Sequence, residues 1–517
     1  MLVKTYGSTV SGIEATIITI EVNVMRGASF YLVGLPDNAV KESQQRIYSA
    51  IQYHGFNKPG KKVVINMAPA DIKKEGSSYD LPLAIGILAG SDQINAAGIE
   101  QYLIMGELSL DGVVKPIRGA LPIAIKAREE GFKGFILPVE NSKEAAVVDG
   151  LAVYGVKNMM EVIHFFNGDS NDETAKLNPT IVDTRKEFFL NQHNHELDFA
   201  DVKGQENVKR ALEIAAAGMH NIVMIGPPGS GKTMLAKRLP SIIPPLSLHE
   251  ALETTKIHSV AGNVGRDTSL MTIRPFRSPH HTISYAALVG GGMIPQPGEI
   301  SLAHNGVLFL DELPEFQRTV LEVMRQPLED RKITLSRAKF SVEYPAGFML
   351  VASMNPCPCG FYNHPEKECL CNPGMVQKYL NKISGPLLDR IDIHIEVVPV
   401  GFTQLSDKYS TESSHEIRKR VIDAREMQQQ RFKAQDNLHC NAQMETKMIR
   451  EHCSIDRTGS SLLKNAMEKL GLSARAYDRI LKVSRTIADL EGSENIKTEH
   501  LAEAINYRSL DRESWAG

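Results

Sequence analysis

A phosphate-loop motif constrains this chain more than any other feature. The pattern G-x-x-x-x-G-K-[ST] follows the apolar run 222–225 and precedes the helix-forming segment 234–239. Its glycines let successive N–H groups face one anion, and the helix that follows adds its positive N-terminal end. Lys232 would reach the terminal phosphates of ATP, and Thr233 would bind Mg²⁺ through its hydroxyl. The predicted loop consists of Gly226, Pro227, Pro228, Gly229, Ser230, Gly231, Lys232 and Thr233.

The composition is that of an ordinary soluble protein. Its 517 residues exceed one hydrophobic core and predict about three domains. The net charge of -3 gives no global basic field, so any contact with nucleic acid must use local patches. No apolar run is long enough to span a membrane, and the N-terminus lacks the apolar core of a signal peptide. We therefore expect a cytoplasmic protein without a membrane partner.

Apolar patterning divides the chain into an N-terminal α/β domain (1–165), a polar linker (166–198), a nucleotide-binding core (199–400) and a helical C-terminal lid (401–517). In the first domain, Ser77 and Asp80 resemble a helix-start pair. The remaining predictions there are strands at 15–22, 30–34 and 62–67 and helices at 40–53 and 81–88.

The nucleotide-binding core is predicted to contain a parallel sheet. Short apolar runs at 222–225, 307–310 and 348–353 are typical of strands buried on both faces, and ligand groups are expected where such strands end. A helix is predicted at 208–217, and 256–299 reads as a long insertion. The fold class is therefore α/β.

Acidic and amide side chains follow two of these strands. Asp311 and Glu312 close the strand 307–310, as a Walker B motif does. Asp311 would hold Mg²⁺, and Glu312 would orient and deprotonate the attacking water. Asn355, after the next strand, could position the same water, although an Asn before Pro356 is also typical of a turn.

Two arginines are candidates for reading the nucleotide. Arg390 lies between the sheet and the helical region, and Arg475 lies at the head of a predicted lid helix. A guanidinium beside the transferring phosphate stabilises the charge that develops there. Either residue could instead form an ordinary ion pair, and the sequence leaves both interpretations open.

Two local basic stretches are candidate DNA contacts. One lies in the insertion, and the other is an alternating segment that predicts a β-hairpin. Both could grip phosphates, which is a sequence-independent and salt-sensitive mode of binding. Solvated surface charge is the competing interpretation. The candidate residues are Arg274, Arg277, Arg331, Lys332, Arg337 and Lys339.

Four of the six cysteines form two close pairs in one polar loop. Cys357, Cys359, Cys369 and Cys371 suit a structural tetrahedral Zn²⁺ site, although C-x-C is less usual than C-x-x-C. The alternative is four reduced thiols in an ordinary loop, or His364 in place of one ligand.

These motifs, in this order, resemble the magnesium-chelatase-like AAA+ ATPases of the ComM and YifB family. The resemblance covers nearly the whole chain. It implies a P-loop AAA+ core, Asn355 as the first sensor, Arg390 as a finger offered to a neighbour's nucleotide and Arg475 as the second sensor. It also implies a homohexameric ring and a DNA helicase that promotes branch migration in recombination and natural transformation. Besides the phosphate loop, it rests on the segments 31–36, 274–281, 297–306 and 355–360.

The N-terminal region is similar to the Lon-protease-like, ribosomal-S5-type α+β domain. Ser78 falls where the protease carries its nucleophile, but Ile123 takes the position of the lysine base. A serine without a base is not activated, so we expect no proteolysis. Two alternatives to a DNA motor remain: a chelatase-type motor that inserts a metal into a tetrapyrrole, and an AAA+ motor that remodels a protein client.

Overall fold

The computed structural model describes residues 2–168, 177–191, 196–265, 268–292, 295–337, 340–362, 364, 366–401, 411–433, 435 and 438–508, without the side chains of 190, 191, 337 and 340. The strands are β1 (Leu2–Ser11), β2 (Glu14–Met25), β3 (Phe30–Val33), β4 (Lys62–Ala68), β5 (Tyr102–Ile104), β6 (Glu107–Leu108), β7 (Val114–Lys115), β8 (Gly134–Pro138), β9 (Ala152–Val156), β10 (Ile222–Ile225), β11 (Phe276–Arg277), β12 (Gly290–Gly291), β13 (Gln296–Pro297), β14 (Val307–Leu310), β15 (Lys332–Arg337), β16 (Phe340–Pro345), β17 (Met349–Met354) and β18 (Ile393–Glu396). The helices are α1 (Asn38–Tyr53), α2 (Asp80–Gly90), α3 (Ala120–Glu129), α4 (Val139–Ala145), α5 (Met159–Asn167), α6 (Thr184–Asn191), α7 (Glu206–Gly218), α8 (Lys232–Arg238), α9 (Leu248–Ala261), α10 (Tyr285–Val289), α11 (Glu299–Leu302), α12 (Arg318–Val323), α13 (Arg325–Asp330), α14 (Pro373–Leu380), α15 (Gly385–Leu388), α16 (Ser414–Arg431), α17 (Thr446–His452), α18 (Arg457–Leu470), α19 (Ala474–Leu490) and α20 (Thr498–Asn506).

The chain forms two compact units. The first comprises Met1–Asn191 and Ser247–Thr272, and the second comprises Gln192–Leu246 and Ile273–Gly517. Helix α9 therefore belongs to the first unit, and the predicted insertion is divided between the two. Helix α6 lies inside the stretch predicted as a linker. None of the helices in the described part of the chain has both the length and the apolar character that crossing a membrane requires.

The first unit is built on a seven-stranded mixed sheet of order β3-β4-β2-β1-β5-β8-β9. Helix α2 is buried along its whole length. The predicted helix-start pair is wrong, because neither Ser77 nor Asp80 caps this helix. Asp80 is buried and accepts hydrogen bonds from Arg46 at 2.6 and 3.0 Å, whereas Ser77 donates to Glu107.

The second unit carries a five-stranded sheet of order β11-β14-β17-β10-β18, in which every pairing is parallel. Alternate residues of its central strands enter two different cores. Ile222 and Met224 pack on one face of the sheet, and Val223 and Ile225 pack on the other. Burial on both faces explains why these strands are short, continuous apolar runs. The predicted parallel sheet is thereby confirmed.

A buried ion pair joins the sheet to the lid helices of the same unit. Asp392, just before β18, is 1% exposed and pairs with Arg479 on α19. It also accepts a hydrogen bond from the backbone N–H of Asn221 at 2.8 Å. Burial alone would raise the pKa of Asp392, but Arg479 and His220 hold it far below its ordinary value. The carboxylate is therefore charged and compensated inside the protein.

Asp392→Asn should destabilise the second unit by about 3–5 kcal/mol, because the Arg479 charge would stay buried without its partner. Urea unfolding followed by intrinsic fluorescence and circular dichroism measures the change. Lys464→Ala is the matched control, because Lys464 and Glu468 form an exposed pair at 3.9 Å and should contribute less than about 0.5 kcal/mol. Equal effects of the two substitutions would contradict the role of the buried pair.

Candidate functional site

The phosphate loop connects β10 to α8 and needs its glycines for two physical reasons. Gly229 and Gly231 have φ values of +78° and +90°, a region that side chains with a Cβ rarely adopt. A Cβ on Gly226 would lie 2.2 Å from the carbonyl oxygen of Val397. The loop can therefore curl tightly over the end of the sheet, as a phosphate cradle requires.

Lys232 turns back onto the phosphate loop. Its Nζ donates to the carbonyl oxygens of Gly226 at 2.7 Å and Pro227 at 2.9 Å, and to Oδ1 of Asn355 at 3.3 Å. Burial lowers the pKa of Lys232, and the negative charge of Asp311 opposes that shift. The structure thus brings Asn355 and Lys232 together at the carboxyl edge of the sheet.

Asp311 accepts hydrogen bonds from one hydroxyl group on the neighbouring strand β17 and from one that follows β10, the strand beyond it. Thr233 Oγ1 donates to Asp311 Oδ2 at 2.8 Å, and Ser353 of β17 donates to Oδ1. A threonine hydroxyl beside a carboxylate is the oxygen-ligand set that Mg²⁺ prefers in nucleotide sites. Thr233 and Asp311 would therefore hold the ion. Ser353 was missed in the sequence, although it lies on β17 only two residues before Asn355.

Glu312 lies beyond the strand end with its side chain turned to solvent. Its backbone has φ of +55°, and its N–H donates to Asp311 Oδ1 at 3.1 Å. The side chain is 56% exposed, and its Oε2 lies 3.5 Å from His281 Nδ1. A carboxylate in this position is accessible to water, as a general base must be. Sequence reasoning did not find the histidine contact.

The two candidate nucleotide arginines meet at one carboxylate, Glu329 of α13. Arg390 is 3% exposed, and its Nη2 lies 2.5 Å from Glu329 Oε1. Arg475 is 57% exposed, and its Nη2 lies 3.9 Å from the same oxygen. The hydrogen bond from Arg390 lowers the pKa of Glu329, and the charge of Arg475 adds to that shift. Within the described residues, no hydrogen bond or ion pair joins either arginine to the phosphate loop.

The basic residues of the insertion serve the fold rather than an exposed patch. Arg274 is buried and donates to the carbonyl oxygens of Pro244, Pro245 and Asn305 at 2.6, 3.2 and 2.7 Å. Arg277 makes two 2.6 Å hydrogen bonds to Glu299, which raise its pKa. Both guanidinium groups are engaged by internal acceptors, and their contact with DNA stays a prediction.

The second basic stretch forms the predicted hairpin of β15 and β16. Arg331 precedes β15 and is half-buried; burial lowers the pKa of its guanidinium, and the thiol of Cys440 opposes that shift. Lys332 is paired with Glu343 across the hairpin at 3.0 Å. The side chain of Arg337 and the whole of Lys339 lie outside the described residues. In the described part of the hairpin, Glu343 therefore offsets the charge of Lys332.

The four clustered cysteines meet in space with their thiols free. Three Sγ–Sγ distances are 3.3, 3.5 and 3.7 Å, and all four sulfur atoms lie within 4.8 Å of one another. A tetrahedral site with Zn–S bonds of about 2.3 Å needs sulfur atoms about 3.8 Å apart, so the donor set fits Zn²⁺. Burial acts to raise the pKa of Cys359, but hydrogen bonds from Phe361 and Cys357 lower it to about 6. His364 is not part of this cluster.

The cysteine loop lies against the phosphate loop. Gly360, one residue after Cys359, has φ of +83°, and a Cβ there would lie 2.5 Å from Pro228 Cδ. Pro228 belongs to the phosphate loop, so the two loops are in van der Waals contact at this point. The position of the cysteine loop therefore bears on the shape of the phosphate cradle.

In the first unit, the residues aligned with a protease site do not form one. Ile123 of α3 is 1% exposed and supplies no base. Ser77 donates its hydroxyl to Glu107, and the carbonyl oxygen of Ser78 accepts from the backbone N–H of Gly106 at 2.8 Å. Both serines thus link the segment before α2 to the residues at the start of β6 through hydrogen bonds.

A phosphate loop, a polar residue after the adjacent strand and an acidic pair after the strand beyond it define a P-loop ATPase of the AAA+ class. Three protein-family models match successive parts of this chain. "Subunit ChlI of Mg-chelatase" covers residues 20–141, "Magnesium chelatase, subunit ChlI" covers 198–405 and "Magnesium chelatase, subunit ChlI C-terminal" covers 411–508.

Curated relatives extend this similarity over nearly the whole chain. Competence protein ComM of Haemophilus influenzae is 44% identical over 511 residues, 98% of this chain and 97% of the relative. YifB of Escherichia coli is 44% identical over 503 residues, 97% of this chain and 96% of the relative. Lon protease 2 of Bacillus subtilis is 34% identical over 159 residues, 28% of this chain and 27% of that protein. The chain belongs to the ComM and YifB family of magnesium-chelatase-like AAA+ ATPases.

Gly360→Ala should weaken ATP binding by about tenfold, or ~1.4 kcal/mol, which lies in the range that overpacking costs. The added methyl group would press on Pro228 of the phosphate loop. Titration with a fluorescent ATP analogue measures the affinity. Gly374→Ala is the control, because its Cβ would meet no heavy atom closer than 3.5 Å. Unchanged affinity in the Gly360 variant would show that the contact does not matter for the cradle.

Proposed function

We propose that this protein is an ATP-driven ring motor that acts on DNA, as a branch-migration helicase in recombination. The observation that supports the ATPase step is the cluster of Lys232, Thr233, Asp311, Glu312 and Asn355 at one edge of the parallel sheet. Full-length similarity to a protein named for competence supports the DNA step.

Each residue of this cluster has a role in phosphoryl transfer. Lys232 leaves the loop carbonyl groups and neutralises charge on the terminal phosphates, and Thr233 and Asp311 hold Mg²⁺. Glu312 takes a proton from the attacking water, and Asn355 orients that water or the terminal phosphate. Thr233 and Asp311 would hold Mg²⁺, which would supply positive charge to offset the charge that develops on the phosphate groups.

The proposed role of Arg390 requires adjacent subunits, and we propose that they form a homohexameric ring. An arginine that acts on a neighbour's nucleotide needs an adjacent subunit, and Arg390 would have to exchange Glu329 for the phosphates. Arg475 lies 3.9 Å from an oxygen of the same carboxylate, so that exchange would also change the ion pair of Arg475. Size-exclusion chromatography with light scattering, with and without ATP, tests for the ring.

The DNA assignment rests on relatives rather than on an exposed basic surface. Three of the candidate DNA residues, Arg274, Arg277 and Arg331, are engaged within the described fold, so we propose no phosphate contact for them. A chelatase-type motor is the second candidate, because three chelatase family descriptions match the chain. ATPase activity that ignores DNA would favour it.

Glu312→Gln should abolish ATP turnover, by about 100-fold or more, while ATP binding is kept, because the amide cannot accept the proton of the attacking water. Lys232→Ala should lose binding and turnover together. ATPase rates with single-stranded, duplex and four-way-junction DNA are measured beside nucleotide affinity. Glu315→Gln is the control, because Glu315 pairs with the exposed Lys382 at 3.3 Å.

Wild-type rates that rise with branched DNA, and branch migration that needs ATP, would support the DNA motor. An inert wild type in assembled form, with Mg²⁺ and each DNA supplied, would reject the ATPase proposal itself.

We also propose that the four-cysteine cluster holds a structural Zn²⁺. Elemental analysis of protein purified without chelators should give about one zinc per chain. Substitution of Cys369 and Cys371 by Ser should remove the metal and make Cys357 and Cys359 reactive toward a thiol reagent. Zinc at background level, with four freely titratable thiols in the wild type, would contradict the proposal.

A further inference from the structure

The histidine contact to Glu312 comes from a segment that the proposed reaction does not otherwise use. His281 is part of the stretch 274–281 and follows β11 by four residues. Its Nδ1 lies 3.5 Å from Glu312 Oε2, its side chain is 31% exposed, and its ring lies edge-on to Phe316 at 6.4 Å. It is thus a half-buried imidazole directed at the proposed general base.

The segment that carries His281 is anchored to the strand that carries Glu312. Strand β11 pairs in parallel with β14, so both strands end at the same edge of the sheet. The N–H of Val307 donates to Pro275 O at 2.8 Å, and a Cβ on Gly306 would lie 2.1 Å from the same oxygen. This close approach fixes the strand pair in register.

Two arginines, the buried Arg274 and the half-buried Arg277, hold the same segment. Arg274 binds three carbonyl oxygens, and Arg277 is clamped to Glu299 by two hydrogen bonds. After Arg277 the chain makes a turn in which Ile283 N–H donates to His280 O at 2.9 Å. His280 itself bonds to Thr282, which leaves His281 as the imidazole that reaches Glu312. The hydrogen bonds of Arg274 and Arg277 therefore fix the position of the segment that carries His281.

We propose that His281 is a positioning residue that orients the Glu312 carboxylate for proton abstraction. Glu312 is otherwise an exposed side chain on a left-handed residue, and its rotamers would be free in water. A general base must first be placed correctly relative to the proton that it removes. Its hydrogen bonds often shorten only when substrate is bound. An imidazole N–H donating to one carboxylate oxygen leaves the other oxygen for the attacking water. This inference rests on the proposed ATPase function.

His281→Ala should lower kcat by about tenfold, less than the 100-fold that a 1 Å misplacement can cost, with KM and ATP affinity changed less than about twofold. His281→Asn should restore most of kcat, because its amide N–H can replace Nδ1. In the Glu312→Gln background, His281→Ala should have no further effect, since the carboxylate that it orients is absent. Steady-state ATPase kinetics and binding of a fluorescent ATP analogue supply these values.

His249→Ala is the matched control, because His249 lies 3.8 Å from Glu253 on α9 and forms a pair of the same chemistry outside the site. Should His281→Ala fail to fold, His281→Leu keeps the bulk without the donor and should give the same loss of kcat. An unchanged or raised kcat would overturn the proposal. A parallel fall in ATP affinity, no rescue by Asn, or an additive loss in the Glu312→Gln background would also overturn it. A wild type without ATPase activity would instead be a failure of the proposed function.

Discussion

The hydrogen bonds to Asp311 depend on a parallel sheet whose central strands all end at one edge. Thr233 follows β10, Asp311 follows β14 and Ser353 lies on β17, and the carboxylate accepts from both hydroxyl groups. These strands stay in register because each is buried on both faces, where a slip of one residue would exchange the side chains of two cores. The packing of the sheet therefore sets the geometry of the proposed magnesium site.

Local sequence patterns predicted the parallel sheet and several of the helices because their causes are local. The runs 222–225 and 307–310 coincide with β10 and β14, and the third run, 348–353, differs from β17 by one residue at each end. The prediction that Asp80 helps to start helix α2 was wrong because of a long-range interaction. Its partner Arg46 lies 34 residues away in sequence, and a buried carboxylate follows that guanidinium rather than the nearby helix start. Spacing within one segment cannot reveal such a partner.

The candidate site likewise contains residues that local sequence patterns could predict and residues that they could not. Residues of the phosphate loop and those at the ends of neighbouring strands could be predicted, because motif spacing and strand order place them. The sequence could not predict which arginine side chains can bind a ligand. The answer depends on hydrogen-bond acceptors that come from other segments of the chain. Arg277 and its acceptor Glu299 are 22 residues apart, and Arg274 uses backbone carbonyl groups that no sequence pattern marks. His281 escaped notice for the same reason, since its partner Glu312 is 31 residues further along the chain.

The shared carboxylate of Glu329 has a consequence for the proposed ring. Arg390 is buried, so it cannot leave Glu329 for another position in the protein unless a second anion compensates its charge. The triphosphate of an adjacent subunit is such an anion, and it offers a stronger charge-assisted hydrogen bond than one carboxylate. On the proposed function, nucleotide binding in one subunit and release of Arg390 from Glu329 in the next are therefore linked equilibria. Linkage is reciprocal. A change that stabilises the Arg390–Glu329 pair must therefore lower the ATP affinity of the adjacent subunit by the same factor.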